Sequence, residues 1–379
     1  MNDRYIDLLA YNDGSKIHVK DIEILDFVHC YQTGKHVKVS TIKKYDPETV
    51  YRVTYDDGRC GYHQGSGNIY LNEEIVPFAY VLKFIAKHRE QHLQDIDPSR
   101  KYGLGDVIDD MEKGSPILIT NQYSDLSIAP SPALNYHGFH TNSRPCPYSA
   151  GALFVNGDFS IPYANVPGDR IGAMGPVMIQ EGIELVPGDS VHQWRFKRSG
   201  DMDDENYILW DEIIQWGSIK PNTNDLRIPR PYITRSKNQR WEFIRGAFDN
   251  CYQPHGERSL NMCISGMYQG RMIALQELLF TLGIMSKVSQ KKSNNGASDR
   301  YPYTLELNCS RKIFSKFFNR MENIESAELN ARNIGEDPPE RCYIRLIEQL
   351  TTPAAMINVI LPRPHKVYIG DNFLPIVSA

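Results

Sequence analysis

Few groups of residues in this chain have the types that make chemistry. His137, His140 and Cys146 would suit a borderline cation, but they sit in a proline-rich loop without a fourth ligand at a recognised spacing, so they read as ordinary loop residues. The acidic run DMDDE at 201–205 would suit a hard cation and reads better as a solvated turn before the helical stretch NYILWDEIIQWG. Seven cysteines, Cys30, Cys60, Cys146, Cys251, Cys263, Cys309 and Cys342, form no CxxC pair, which points to buried thiols rather than a zinc cluster or a disulfide framework.

Charge is the stronger signal. The whole chain carries −4, yet between Gly217 and Arg320 seventeen basic residues stand against seven acids, a local net of +10 that leaves −14 for the remainder. A segment this basic inside an acidic chain fits a polyanion, because neutralising phosphates releases condensed counterions. At 379 residues, 41% hydrophobic and 23% charged, the chain has room for two or three ordinary cores. No window reaches the roughly 18 apolar residues of a membrane span. The opening MNDRYIDLLAYNDGSK mixes acids with apolar residues and lacks the order of a signal peptide, so a cytoplasmic or other intracellular location is expected.

The elements that would position these charges differ along the chain. Residues 14–59 read as short strands with turns at Thr33-Gly34, Asp46-Pro47 and Asp56-Asp57-Gly58, and VYRVTY alternates strongly. Residues 73–91 read as a helix, and GLGDVIDDMEKGSPILI as a short helix followed by a strand. Prolines 130, 132, 145 and 147 suggest a boundary. Beyond it come a helix ending at Asn156, a helix over 236–250, a strand RSLNMCISG and a helix GRMIALQELLFTLGI. Strands near 286–290 and 301–308 and a helix SRKIFSKFFNRM follow, and the end of the chain is again β-rich.

Two of those helices carry the clearest pattern. SAGALFVNG (149–157) and IRGAFDNCY (244–252) both resemble the nine-residue signature of LAGLIDADG homing endonucleases, and their flanks, LRIPRPYITRSKNQRWEFIRGAFD and NMCISGMYQGRMIALQELLFTLGIMSKV, resemble the surroundings of the second signature in intein-borne members. The β-rich opening resembles the N-terminal half of a Hint (hedgehog/intein) domain, and VYIGDNFLPIVS its C-terminal motif. The resemblance implies an α+β chain: a Hint-like β-rich domain built from residues 1–130 and 336–379, with an αββαββα endonuclease-like domain, 131–335, inserted between them.

It also implies roles. Gly151 and Gly246 would be the contacts that let the two signature helices approach closely. The eighth signature positions, which in the family hold one carboxylate each for divalent metals at the scissile phosphates, are Asn156 and Cys251 here. An amide offers one neutral oxygen and a thiol is a soft ligand, so neither suits Mg²⁺. Asp158 and Asp249 are the neighbouring acids that would have to substitute, although Asp249 lies about 200° around a helix from Cys251. No cofactor is expected, and Mg²⁺ only if cleavage survives. Splicing is expected to be lost as well: the chain opens Met1-Asn2, carries at best Cys60-Gly61-Tyr62-His63 where an activating Thr-x-x-His belongs, and closes Val377-Ser378-Ala379.

The function expected is that of a splicing-dead, cleavage-dead intein descendant that binds double-stranded DNA through Arg227, Arg230, Arg235, Lys237, Arg240, Lys287, Lys291, Lys292, Arg311 and Lys312. The alternatives are a structural component of a phage particle or larger complex, working through protein partners, and an active site-specific endonuclease.

Overall fold

The alternation of VYRVTY builds the strand Val50–Tyr55, which buries Val50, Val53 and Tyr55 and turns Arg52 outward. In the computed structural model the described residues are 5–6, 9–12, 15–96, 116–119, 123–136, 146–158, 163–165, 175–176, 178–179, 183–189, 193–198, 227–251, 262–266, 268–290, 303–319, 321–332, 340–370 and 373–378. Among them the chain is α+β and forms two units, residues 1–134 with 341–379, and residues 135–340. The helix expected within 103–114, the pair His137 and His140, the acidic run at 201–205, the helix after it, and Lys291 with Lys292 lie outside the described residues.

The first unit joins strands from both ends of the chain. Val50–Tyr55 pairs antiparallel with Cys342–Gln349 on one edge and with Cys60–Gln64 on the other. Thr41–Lys44 pairs with Ala355–Ile360, whose far edge takes Tyr5–Ile6 in parallel. Val28, Val37, Val39, Val50, Ile357, Val359 and Tyr368 fill a shared core. The helix expected from residue 73 starts later. Asn72 and Glu73 both adopt positive φ, 46° and 66°, which is the twist a two-residue hairpin demands. Glu74–Pro77 therefore turns back as a strand against Asn68–Leu71, and helix α1, Phe78–Ile96, begins only after Pro77.

The second unit is built around two helices. Helix α2, Pro147–Asn156, leads into an antiparallel sheet ordered Gly157–Asp158, Tyr163–Asn165, Gln193–Arg198, Ile183–Pro187. After a short turn of helix, Arg230–Ile233, helix α3 covers Lys237–Cys251. The strand Cys263–Gly266, helix α4 (Gln269–Thr281) and the strands Met285–Gln290 and Tyr303–Asn308 follow, the last of these central in a three-stranded sheet. Where one helix was expected over 310–321 there is a 3₁₀ turn, Arg311–Phe317, then an extended Phe318, and a separate helix α5 at Met321–Arg332. Phe314 and Phe317 are both buried, and their spacing of three suits the 3₁₀ repeat. Phe317 packs on Trp241 and Phe248, with Phe318 also on Phe248.

Helices α2 and α3 meet backbone to backbone. A Cβ on Gly151 would fall on the carbonyl oxygen of Phe243, three residues before Gly246. A Cβ on Gly246 would fall on the carbonyl oxygen of Tyr148, three residues before Gly151. The same contact is thus made once from each helix, and around it Ala150, Ala152, Leu153, Phe154, Phe243, Ala247 and Phe248 are buried in one core.

Replacing Gly151 or Gly246 with Leu is expected to cost about 1–3 kcal/mol or more, because the obstruction is backbone and cannot swing aside; denaturant unfolding measures it. In the first unit the His63 ring lies flat on Phe78, with centroids 5.5 Å apart and planes 9° apart. Desolvation by its surroundings pushes its pKa from 6.5 down to about 4, against a smaller opposing effect of a hydrogen bond to the Asn68 backbone. The unfolded chain takes up the proton first, so this contribution to stability is present above pH 6.5 and is lost as pH falls toward 4. A loss of about 1–3 kcal/mol over that range is expected, and His63→Phe should flatten it in unfolding curves taken as a function of pH.

Candidate nucleic-acid interface

Asn156 is the last residue of α2 and Cys251 the last residue of α3, each five positions beyond its contact glycine. Since the glycine contact is reciprocal, the two ends are equivalent places, each about 7.5 Å along its axis from the crossing. The end of α2 is tied by a residue the sequence reading passed over. Arg271, buried on α4, stacks its guanidinium on Tyr268 (4.6 Å) and donates from Nη1 to the Val155 carbonyl at 3.4 Å. A cation there answers the partial negative charge of a helix C-terminus.

Asp249 is committed to other partners. It is fully buried. Its Oδ2 accepts from the Tyr148 hydroxyl (3.0 Å) and the Asn319 backbone N–H (2.9 Å), and its Oδ1 accepts from the Asn323 amide (3.0 Å). The carboxylate ties α2, α3, the turn after the 3₁₀ segment and α5 together. The corresponding place on α2 is Phe154, five residues after Ser149 as Asp249 is after Ile244, and it packs on Phe243 with centroids 5.8 Å apart. Asp158 lies in the strand following α2, in register with Tyr163. Among the described residues no three His, Cys, Asp or Glu side chains gather to hold a metal ion.

The expected DNA-binding set divides by burial. Arg240 is 1% exposed: its Nη1 donates to the Thr281 carbonyl (2.6 Å) at the end of α4, its Nε to the Arg235 carbonyl (3.1 Å), and it lies over Tyr136. Arg235 is buried with its guanidinium over Tyr232, and Arg311 is buried as well. These three are withdrawn from solvent. Arg227, Lys237, Lys287 and Lys312 are exposed. Arg230 opens the short helical turn ahead of α3.

In each sheet the described side chains divide between a core-facing side and the opposite side. In the three-stranded sheet Ile264, Leu305, Leu307 and Val288 turn to the core, while the register aligns Lys287 with Glu306 and Ser289 with Thr304 and Ser265 on the other side. In the four-stranded sheet Ile183, Leu185 and Trp194 turn to the core. Arg195 alternates with Trp194 along QWRFKR, is exposed, and pairs with Asp189 at 2.6 Å; Lys197 follows two residues on, in register with Glu184. Arg195 and Lys197 lie outside the +10 segment, so segment charge could not find them. The alternation of basic and aromatic residues in QWRFKR was the available signal.

Asp249→Ala should cost about 2–4 kcal/mol, since it leaves three half-buried donors without their carboxylate. The loss should be the same with and without Mg²⁺ in thermal unfolding; a Mg²⁺-dependent difference would mean that the carboxylate also serves a metal.

No protein-family model matches the chain, and no curated protein matches it. Solved structures similar to it include those of the homing endonuclease I-DmoI. Its mesophilic variants align at 11% identity over 49% of this chain and 94% of theirs, with a TM-score of 0.27. I-DmoI in complex with DNA and Ca aligns at 14% identity over 52% and 93%, with a TM-score of 0.29. I-DmoI in complex with DNA and Mn aligns at 10% identity over 46% and 98%, with a TM-score of 0.28.

Proposed function

We propose that the chain is a duplex-DNA-binding protein that keeps the helix pair and sheets of a LAGLIDADG endonuclease and has lost its cutting chemistry. The reciprocal contact at Gly151 and Gly246 carries this reading, since it gives two equivalent helix ends with a polar-faced sheet after each helix. At those ends Asn156 and Cys251 provide an amide and a thiol where Mg²⁺ needs hard, charged oxygens. Arg271 beside Val155 adds a positive charge next to one of them, which opposes a divalent cation further. In this reading the exposed Lys287, Arg195, Lys237, Arg227 and Lys312, with Lys197 on the same strand as Arg195, meet phosphates, and sequence preference comes from the serines, threonines and glutamate of the sheet faces.

The unit made from both chain ends is read as Hint-like, because strands from the two ends pair within its sheets. Its Cys60-Gly61-Tyr62-His63 stretch lacks the threonine of an activating pair, and His63 is held neutral against Phe78. It is accordingly assigned no splicing chemistry.

Affinity for duplex DNA should fall steeply with salt, with a log–log slope of about 0.9 per phosphate neutralised. Reversing the charge of Arg195, Lys197, Lys237 and Lys287 together should lower the slope by about 3 to 4 if each makes one contact. Absence of duplex binding at low salt would sink the reading and favour a role in a protein assembly. Wild-type cleavage with Mg²⁺ would instead restore the active endonuclease. Asn156→Asp with Cys251→Asp should move the protein toward Mg²⁺-dependent nicking, read on a supercoiled plasmid.

A further inference from the structure

We propose a second nucleic-acid contact, on the exposed face of α1 in the unit built from both chain ends: a stacking platform for an unpaired strand, centred on Tyr80. Helix α1 buries Phe78, Val81, Ile85 and Ala86, so its apolar face is already covered by its own unit. On the opposite side Tyr80, Lys83, Phe84, Lys87 and His88 recur at spacings of three and four and form one strip. Residues 78–88 contain no acid.

The rings of this strip hold one another. Phe84 meets Tyr80 at 6.3 Å, His88 at 4.3 Å and Tyr123 edge-on at 5.5 Å, and His88 lies 4.8 Å from Tyr123. Tyr80 ends this row of rings, 51% exposed, with Phe84 as its ring neighbour. A large ring open to solvent offers a π-face that accepts any base. Lys83 and Lys87, both exposed, follow Tyr80 along the same strip, about 4.5 and 10.5 Å further along the axis. An exposed aromatic ring with cations along the same strip is the pairing that unpaired strands require: stacking for the base and charge for the backbone.

A duplex fits less well, since its bases are already stacked on one another and a ring on a convex helix cannot reach them. A lipid surface fits less well too. A helix lying in a membrane needs a broad apolar face free to enter it, and here Val81, Ile85 and Ala86 point into the fold. The contact stands apart from the duplex reading of the other unit, and either can fail alone.

The test is fluorescence anisotropy of the full chain with a labelled 15-nucleotide oligothymidylate, run beside a labelled duplex. Tyr80→Ala should weaken oligothymidylate binding about tenfold while leaving duplex affinity unchanged, and Tyr80→Trp should retain it. Lys83→Glu with Lys87→Glu should lower the salt slope for the single strand by about 1.4, at about 0.7 per contact. Circular dichroism of the variants checks that they fold, which the exposure of all three positions favours. Wild-type protein that ignores the oligonucleotide at low salt overturns the proposal, as does equal binding by Tyr80→Ala. Binding to phosphatidylserine vesicles that depends on Tyr80, with none to the oligonucleotide, also overturns it and assigns the face to membrane.

Discussion

The second unit depends on two glycines meeting two carbonyl oxygens. Helices usually pack at 8–10 Å because side chains hold them apart; where Gly151 faces Phe243 and Gly246 faces Tyr148 there is no side chain to do so. At that distance the α-hydrogens of each glycine can approach the facing carbonyl as weak donors, and the crossing has a single register. Everything downstream inherits it. The ends of α2 and α3 become equivalent, and each is followed by strands with an apolar and a polar face. Only beyond the crossing do the halves diverge: Phe154 packs on Phe243 on one side, and Asp249 accepts from Tyr148 on the other. The apolar side suits simple packing. The polar side recruits Asn319 and Asn323 and so locks α5 to the pair.

Arginine is used here as much for building as for binding. Arg240 reaches the Thr281 carbonyl at the end of α4, and Arg271 reaches the Val155 carbonyl near the end of α2. Each cation satisfies a carbonyl that a helix end leaves without an intrahelical partner. A guanidinium suits that task better than an ammonium: it is weakly hydrated, and it stacks on Tyr136 or Tyr268 while donating sideways. The formal charge of the segment therefore overstates its surface charge, which rests on residues such as Lys237 and Lys287, while Arg195 adds exposed charge from outside the segment.

What could be read from the sequence follows the range of the interaction that decides it. The strand Val50–Tyr55 shows in its own alternation, and α4 in its apolar run. The small residues that make a helix crossing conceivable are visible as Ala150, Gly151 and Ala152, although which backbone they meet is not. Local signals failed where a turn or a distant partner decided the outcome. Asn72 and Glu73 adopt a hairpin twist without the glycine that usually announces one, so Glu74–Pro77 looked helical. The segment after Ser310 has helix-forming residues, but Phe317 and Phe318 answer to Trp241 and Phe248 on α3, and that ends the turn. The burial of Arg235, Arg240 and Arg311 was illegible for the same reason, since nothing in a basic stretch marks which guanidinium will find a carbonyl inside.

The first unit poses a problem of chain connectivity that the second helps to solve. Tyr343 donates its backbone N–H to the Asp56 carboxylate at 3.1 Å across 287 residues of sequence, and the ladder between Val50–Tyr55 and Cys342–Gln349 closes the same loop. For a disordered chain the closure entropy rises only logarithmically with length, but contacts this distant form slowly. A second unit that folds by itself shortens the problem, because its core lies entirely within residues 135–340 and needs no strand from either chain end. Once α2 and α3 have crossed at their glycines, the segment between the two halves of the first unit is a folded body rather than a long coil. The late strands Cys342–Gln349 and Ala355–Ile360 then search for Val50–Tyr55 and Thr41–Lys44 over a far smaller volume. Early folding of the second unit would thereby speed closure of the first without being required for it.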